Sequence, residues 1–487
     1  MRRTVLVAAA IVAAALATGL SGCGGGHRDA PGSTLTGTLT GSRGSLVPGP
    51  GEPLAPRTEL APGGPVVRTL TSFVQLSDLH VTDEESPLRA EQADRIGGSV
   101  ASSFRPQESL SAQVLAAAVE SANALHPGWA IVSGDIVDSD QANELGWAIR
   151  VLDGGLVTPD SGRPGYDGVQ AKANADPFLY RPDIDAPRHP GLLADAQEPF
   201  RSPGLRMPWL PLVSNHDVLV QGVVRPDPAL TRVATGNRKL REPSRAALDV
   251  VRSARASGRA IDTLLEGDRL GTYGAIAPDA GRRPLGNGTV AVLARAAKVE
   301  TRAGLLTYDR SVAPGVAMIA LDTADRAGGA GGVLPASELA WLAGALVRHR
   351  GEHLVVVSPT PLEETRGGGG ALALLDRTPG IVAVLAGDTH RNRIRARRTS
   401  SGGYWLVRSA SLADYPQQFR AYRLQELAGG RVALDTWVVD QAGDSRATGF
   451  RRLAGISRDL AYLDTQGGRS QGYAGTRADR NARLFLP

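Results

Sequence analysis

The sequence predicts an α/β layered fold. Short apolar runs alternate with segments of helical spacing, and polar residues gather just past the ends of the apolar runs. The chain has 487 residues and 42% hydrophobic content, ample for a large core. In layered α/β folds, sites are built where strands end, so the residues following each run are the candidates for function.

The first 23 residues stand apart. Arg2 and Arg3 precede an apolar run from Val5 to Leu16, followed by small residues and Leu20-Ser21-Gly22-Cys23. The run is too short for a membrane span, so it predicts a secretory signal segment. Its last four residues resemble a bacterial lipobox. Cys23 is the only cysteine, which excludes an intramolecular disulfide or a cysteine-based zinc site and marks Cys23 as the expected lipidation point. Residues 24–65 are rich in Gly, Pro, Ser and Thr and are expected to be a flexible tether. The folded domain is expected over 66–440, with insertions at about 154–206 and 224–310, and 441–487 as a C-terminal extension.

The first apolar run, Phe73, Val74 and Leu76, reads as a buried strand that delivers Asp78 and His80 beyond its end. A polar stretch, 82–105, follows. Leu110, Val114, Leu115, Val119 and Ala122 have helical spacing, with Ser109 as a candidate N-cap. Residues 129–132 read as a second strand, running into Ser133-Gly134-Asp135. Residues 141–152 read as a helix. Residues 209–213 form a third run, ending in Ser214-Asn215-His216-Asp217. The charged stretch 232–270 reads as helical, with its polar face in solvent or capping the site. Strands are expected at 316–321, 354–357, 381–385, 404–407 and 432–439, and a helix at 337–347. The run at 381–385 ends in Gly387-Asp388-Thr389-His390. Trp209 and Trp341 read as core, and His126, His349 and His353 as surface residues.

The charge balance is +5, from 54 basic and 49 acidic residues, with no basic run interleaved with aromatics. Nucleic-acid binding is therefore not expected. The strand ends carry a different chemistry. Carboxylates, imidazoles and a carboxamide recur there, and these are ligands for a borderline metal.

In order and context, D-L-H (78–80), G-D-I-V (134–137), S-N-H-D (214–217) and G-D-T-H (387–390) resemble the motifs of the calcineurin-like metallophosphoesterases. The wording D-Y-P-Q-Q at 414–418 and G-T-R-A-D-R-N at 475–481 is similar to a secreted actinobacterial lipoprotein branch of that family. The resemblance implies an α/β metallophosphoesterase-type β-sandwich flanked by helices, with long insertions. It implies a metal-dependent phosphoric-ester hydrolase, in which two metals about 3.5–4 Å apart clamp the ester and activate water. Asp78, His80, Asp135 and His390 would surround the first metal, with Asp135 bridging to the second. Asn215 would bind the second metal, His216 would assist the leaving group, and Asp217 would orient His216.

The chain departs from the family at the second metal. Pro359 and Thr360 stand where the family has a lone histidine, and Asp388 stands where it has the first histidine of G-H-x-H. Asp388 is either an oxygen ligand or a solvated loop carboxylate. His189, Glu363 and Glu364 are candidate replacement ligands. The expectation is one tight site for Fe, Mn, Zn or Mg and a weak second site. Two functions follow: a phosphate-ester hydrolase tethered to the membrane by lipid outside the cytoplasm, or a non-catalytic lipoprotein that keeps one metal and binds a phosphorylated envelope ligand.

Overall fold

The computed structural model describes residues 32–42, 44–97, 102–253, 264–265 and 270–487. The signal segment and Cys23 lie outside the described residues.

Two mixed sheets form the centre. The first runs, in spatial order, β3 (Ala55–Arg57), β19 (Ala482–Phe485), β18 (Val432–Asp440), β17 (Gln418–Leu427), β4 (Val66–Leu76), β5 (Trp129–Val132) and β8 (Trp209–Pro211). The second runs β11 (Tyr308–Ala313), β12 (Val316–Ala320), β13 (His353–Val357), β14 (Ile381–Ala386), β16 (Tyr404–Arg408) and β15 (Arg393–Arg397). Strands β4, β5 and β8 are parallel, as are β12, β13, β14 and β16. Small hairpins lie outside the sheets: β1 (Gly37–Ser42) with β2 (Ser45–Pro50), β6 (Gly155–Val157) with β7 (Phe200–Ser202), and β9 (Arg238–Pro243) with β10 (Gly271–Ala275).

Side-chain alternation explains the layering. Along β13, Val355 and Val357 join a core shared with Leu76 and Val132 of the first sheet, while Leu354 and Val356 face the other way. That outer face is covered by Leu342 and Leu346 of the helix Ala336–Arg348 and by Ala371 and Leu375 of the helix Gly368–Leu375. Helices Ser111–Ala124 and Ala142–Asp153 pack Val114, Leu115, Val119, Leu145 and Val151 into the core of the first sheet. The result is a helix–sheet–sheet–helix sandwich, in line with the expected fold class. Gln75 links the sheets: its amide donates to Ser133 Oγ (3.0 Å) and to the Ala386 carbonyl (3.3 Å), and Tyr422 donates to its oxygen (2.7 Å).

Several expectations need correction. Residues 32–65 are not a tether throughout: β1 and β2 pair, and β3 pairs with β19 at the edge of the first sheet. Small, polar composition hid a local hairpin and an edge strand whose partner is distant in sequence. The C-terminal residues are equally integral. The helix Gly449–Leu463 packs Leu453, Ile456 and Leu460 around Leu110, and β19 pairs with β18. The stretch 232–270 is not one helix, because β9 lies between the helices Pro228–Ala234 and Arg245–Ser253. Within β9, Lys239 is buried, donating to the carbonyls of Glu84 and Ser86 and pairing with Glu91. Ser109 is not an N-cap, since the 3₁₀ turn Glu108–Leu110 leads straight into the helix. Trp209 is buried, Trp341 is partly buried against the outer core, and His126 is exposed; His349 and His353 are half-buried.

The first part of the polar stretch after His80, residues 82–94, is also buried. Asp83, Glu84, Glu85, Arg89, Glu91 and Asp94 are nearly inaccessible. Burial pushes the carboxyls of Glu84 and Asp94 up to about 8, and those of Glu85 and Glu144 up to about 9 and about 8. Each holds a proton in the folded chain that the unfolded chain has already lost, so ionisation opposes folding. Stability is therefore expected to fall as pH rises from about 4.5 to about 8, the window in which the unfolded carboxyls are ionised while the folded ones keep their protons. Thermal melting across that range checks it, and a melting temperature that is flat or rises would contradict it.

Candidate metal centre

The parallel strands end together. Beyond β4 and β5 the two loops continue as a ladder: Asp78 N–H donates to the Gly134 carbonyl (3.2 Å), His80 N–H to that of Asp135 (2.9 Å), and Val81 N–H to that of Ile136 (3.0 Å). From the second sheet, Asp388 N–H donates to Asp78 Oδ1 (2.9 Å). From the end of β8, His216 N–H donates to Asp135 Oδ1 (3.0 Å). Asp78, His80, Asp135, Asn215, His216, Asp388 and His390 thus meet at one edge of the sandwich.

The backbone at this edge is unusual. Asp78, His80, Asp135, Asp388 and His390 all have positive φ, between 42° and 63°. Each such non-glycine residue costs on the order of 1 kcal/mol, and clusters of them mark functional turns. The turns 78–80 and 388–390 are the same motif, Asp-x-His, with the same left-handed pattern, one from each sheet. Gly387 makes their approach possible. A Cβ there would sit 2.1 Å from Ser77 Oγ and 2.8 Å from Asp78 Oδ2.

Three imidazoles converge with one nitrogen each already engaged. His80 Nδ1–H donates to Asp138 Oδ1 (3.0 Å), His390 Nδ1–H to Asp414 Oδ2 (2.5 Å), and His216 Nδ1–H to the Asp138 carbonyl (2.7 Å). Carboxylate and carbonyl acceptors require the proton on Nδ1, so Nε2 carries the lone pair in each neutral ring. The Nε2 atoms of His80 and His390 lie 3.2 Å apart. Two lone pairs at that distance repel unless a cation or proton lies between them. Burial, with His216 nearby, lowers His80 to about 4, so this ring is neutral at physiological pH. Burial alone would lower His390 as well, but the Asp414 hydrogen bond and charge, with Asp78, raise it.

The carboxylates make the same demand. Burial raises Asp78 to about 6; Asp135 adds to the rise, while His390, Ser77 and the Asp388 N–H oppose it. Burial, then Asp135 and Asp78, raise Asp388 well above the usual carboxylate range. A concentration of buried carboxylates beside two converging nitrogen lone pairs fits a bound cation. His80, Asp138 and His216 also bring three ligand-type atoms within 4.8 Å of one another. Those Nδ1 atoms already donate hydrogen bonds, and Asp138 is paired with Arg89, with Arg105 3.8 Å away. A cation fits better on the Nε2 side, where the rings of His80 and His390 converge.

Not every sequence-based assignment holds. Asp217 does not touch the ring of His216. Its carboxylate accepts from the N–H groups of Ser214 (2.9 Å), Ile136 (2.8 Å) and Val137 (3.2 Å), so it clamps two loops together instead. The ring of His216 is held by the Asp138 carbonyl, with the Asp138 carboxylate 3.9 Å away. Asn215 donates from Nδ2 to the Gly222 carbonyl (2.9 Å), which fixes its amide, and its Oδ1 accepts from Ser214 Oγ (3.0 Å). The candidate replacement ligands for the second metal are each engaged with other side chains in this structure. Glu363 pairs with Arg395 and Glu364 with Arg408 (2.6 Å), and His189 lies beside Arg452 and Asp459. Pro359 packs over Gly134, where a Cβ would come 3.0 Å from it.

Sequence reasoning missed Asp138, Asp414, Arg89 and Arg105. Two signals were on the page: Asp138 closes a G-D-x-x-D run, and Asp414 opens the quoted D-Y-P-Q-Q. Among the glycines, Gly387 is a sharp test of the centre. Gly387→Ala should press on Ser77 and Asp78 and cost about 1–3 kcal/mol, the usual range for overpacking. Denaturant unfolding measures this, and an unchanged midpoint would show that the two turns are not locked together.

No known family profile and no curated protein matches the chain. Two solved structures show distant similarity. A dimetal phosphatase from Danio rerio is 12% identical, with a TM-score of 0.38, over 77% of this chain and 100% of that one. A sulfate thiohydrolase, SoxB, from Thermus thermophilus, in complex with glycerol, is 19% identical, with a TM-score of 0.20, over 32% of this chain and 28% of that one. Similarity at this level does not assign the chain to a family, and the chemistry rests on the residues at the sandwich edge.

Proposed function

We propose that the chain is a metal-dependent phosphoesterase. The observation that carries this reading is the pair of converging Nε2 atoms of His80 and His390 among the buried carboxylates Asp78 and Asp135 and the half-buried Asp388. In this reading, Asp78, His80, Asp135 and His390 hold the first metal, and Asp135, Asn215 and Asp388 offer a second, oxygen-only position. A bound metal would supply Lewis acidity and acidify coordinated water. The protein's own contribution is alignment and proton delivery. The Asp138 carbonyl holds Nδ1–H of His216, leaving Nε2 to carry a proton to the leaving-group oxygen. The Asp138 carboxylate stabilises the protonated ring. Gly222 gives Nε2 room, since a Cβ at this position would lie 2.4 Å from it.

One observation favours the alternative of a non-catalytic binder: among the described residues, no imidazole stands in the second position, and Pro359 and Thr360 occupy the place where the family has a histidine. Oxygen ligands alone hold a borderline metal more weakly. The purified protein should therefore carry one tight metal, with a second bound only at high Mn²⁺ or Mg²⁺, and esterase activity should rise with added metal. His216→Ala should lower turnover about 100-fold or more while leaving metal content unchanged. Asp388→His with Pro359→His should tighten the second site. Two tightly held metals in the wild type would overturn the assignment, and a metal-loaded chain with no esterase activity would favour the binder.

We also propose that the mature chain begins at Cys23 and is anchored by lipid to the cell membrane, outside the cytoplasm. The lone cysteine at the end of a signal-like segment supports this. Among the described residues, no helix is long and apolar enough to cross a membrane. Stable anchoring takes more than one acyl chain. Cys23→Ala should move the protein from the membrane fraction to the medium, and retention in the membrane would rule out the anchor.

A further inference from the structure

The D-Y-P-Q-Q segment has no part in the mechanism above, yet it reaches the centre. Asp414 is buried, and its Oδ2 lies 2.5 Å from His390 Nδ1. The same carboxylate receives Arg105: Nε to Oδ1 at 2.9 Å and Nη2 to Oδ2 at 3.4 Å. Arg105 is also buried, and its Nη1 lies 3.8 Å from Asp138 Oδ1, the oxygen that accepts from His80. One guanidinium thus stands between two carboxylates, and each carboxylate holds one of the two converging imidazoles. The loop carrying Asp414 is itself registered on the first turn, because Leu412 N–H donates to the carbonyls of Ser77 and Asp78 (both 3.2 Å).

We infer that Arg105 and Asp414 are positioning residues that present His390 to the metal through Nε2, and that Arg105, through Asp138, couples His390 to His80. The inference rests on the metal reading proposed above. A planar guanidinium can face both carboxylates at once, while each keeps an oxygen for an imidazole N–H. A structural ion pair alone would need Arg105 and Asp414 but not the bond to the ring. Partners of this kind fix the tautomer and orientation of a ligating histidine, and losing one costs 10–100-fold in metal affinity.

The test uses the full chain, stripped with chelator and titrated with Co²⁺ and Mn²⁺ by calorimetry, with the melting temperature of the metal-free protein recorded alongside. Asp414→Asn should weaken the first metal about 10-fold and Asp414→Ala up to about 100-fold. Metal-free melting should shift far less than the metal-induced rise in melting shrinks. Arg105→Gln should weaken both the metal and the response to Asp138→Asn, so that the two effects do not add. Should Asp414→Asn fail to fold with Arg105 left unpaired, Arg105→Gln/Asp414→Asn removes both charges and serves in its place. In the wild type loaded with Zn²⁺, ring ¹⁵N shifts should show His390 protonated on Nδ1 and bound through Nε2. The opposite tautomer, affinity within twofold of wild type, or a loss fully matched by metal-free destabilisation would each overturn the inference. A wild type that binds no metal would instead sink the metal reading itself.

Discussion

Two imidazole rings whose Nε2 atoms lie 3.2 Å apart are the constraint on which this structure turns. Without a proton or a cation between them their lone pairs repel, and so do the carboxylates packed around them. Much of the surrounding structure makes sense as a means of holding these groups together. Asp138 and Asp414 fix the rings from behind, and Arg89 and Arg105 keep those carboxylates charged although burial works the other way. The polar stretch after His80 supplies both arginines, and both are buried. Unpaired, either guanidinium would be a costly buried charge, so each depends on its carboxylate partners as they depend on it.

The backbone carries its share of the load. Five left-handed aspartate and histidine residues at one edge would be strained in isolation. They persist because neighbouring backbone over-determines them. The ladder from Asp78 to Val81 ties the first turn to the loop after β5, and Asp388 N–H on Asp78 ties the second turn to the first. Below them, Gln75 joins the sheets through Ser133 and Ala386, so the two turns cannot separate without breaking hydrogen bonds in the core. Gly134 and Gly387 keep the space clear where a Cβ would collide with Ser214 or with Ser77. The same edge is thus both strained and tightly cross-linked.

The central strands were legible because their apolar runs are local signals: 129–132 is a strand with the bounds the sequence suggested, and 316–321, 354–357 and 381–385 shift by a residue or so. Strands that depend on distant partners were not. β3 and β19 pair across more than four hundred residues, and β17, with Gln, Arg and Glu along it, has no clean apolar pattern although it sits in the middle of its sheet. The residues at the strand ends were legible for the same local reason, since each follows an apolar run. Their supports were not. Arg89 and Arg105 look like surface charges until the fold buries them, and Asp414 lies 24 residues from the histidine it holds. Asp217 was assigned by its position next to His216, but adjacent residues in a turn point apart, and its carboxylate serves backbone N–H groups instead.

The asymmetry between the two metal positions also follows from local chemistry. At the first position, each ring nitrogen is backed by a carboxylate, so two nitrogen donors are aligned before any cation arrives. At the second, Asp388 lacks such backing: burial and its carboxylate neighbours push it toward the protonated form, and Glu364, which stands nearby, adds to that push and is itself drawn to Arg408. In the metal reading proposed above, a cation at the second position would gain only oxygen ligands. Charge bound at the first position would favour the ionised form of the nearby carboxylates. The first position would then fill before the second, with Asp135 shared between them, and would rest on the ring alignment that Asp414 and Arg105 maintain.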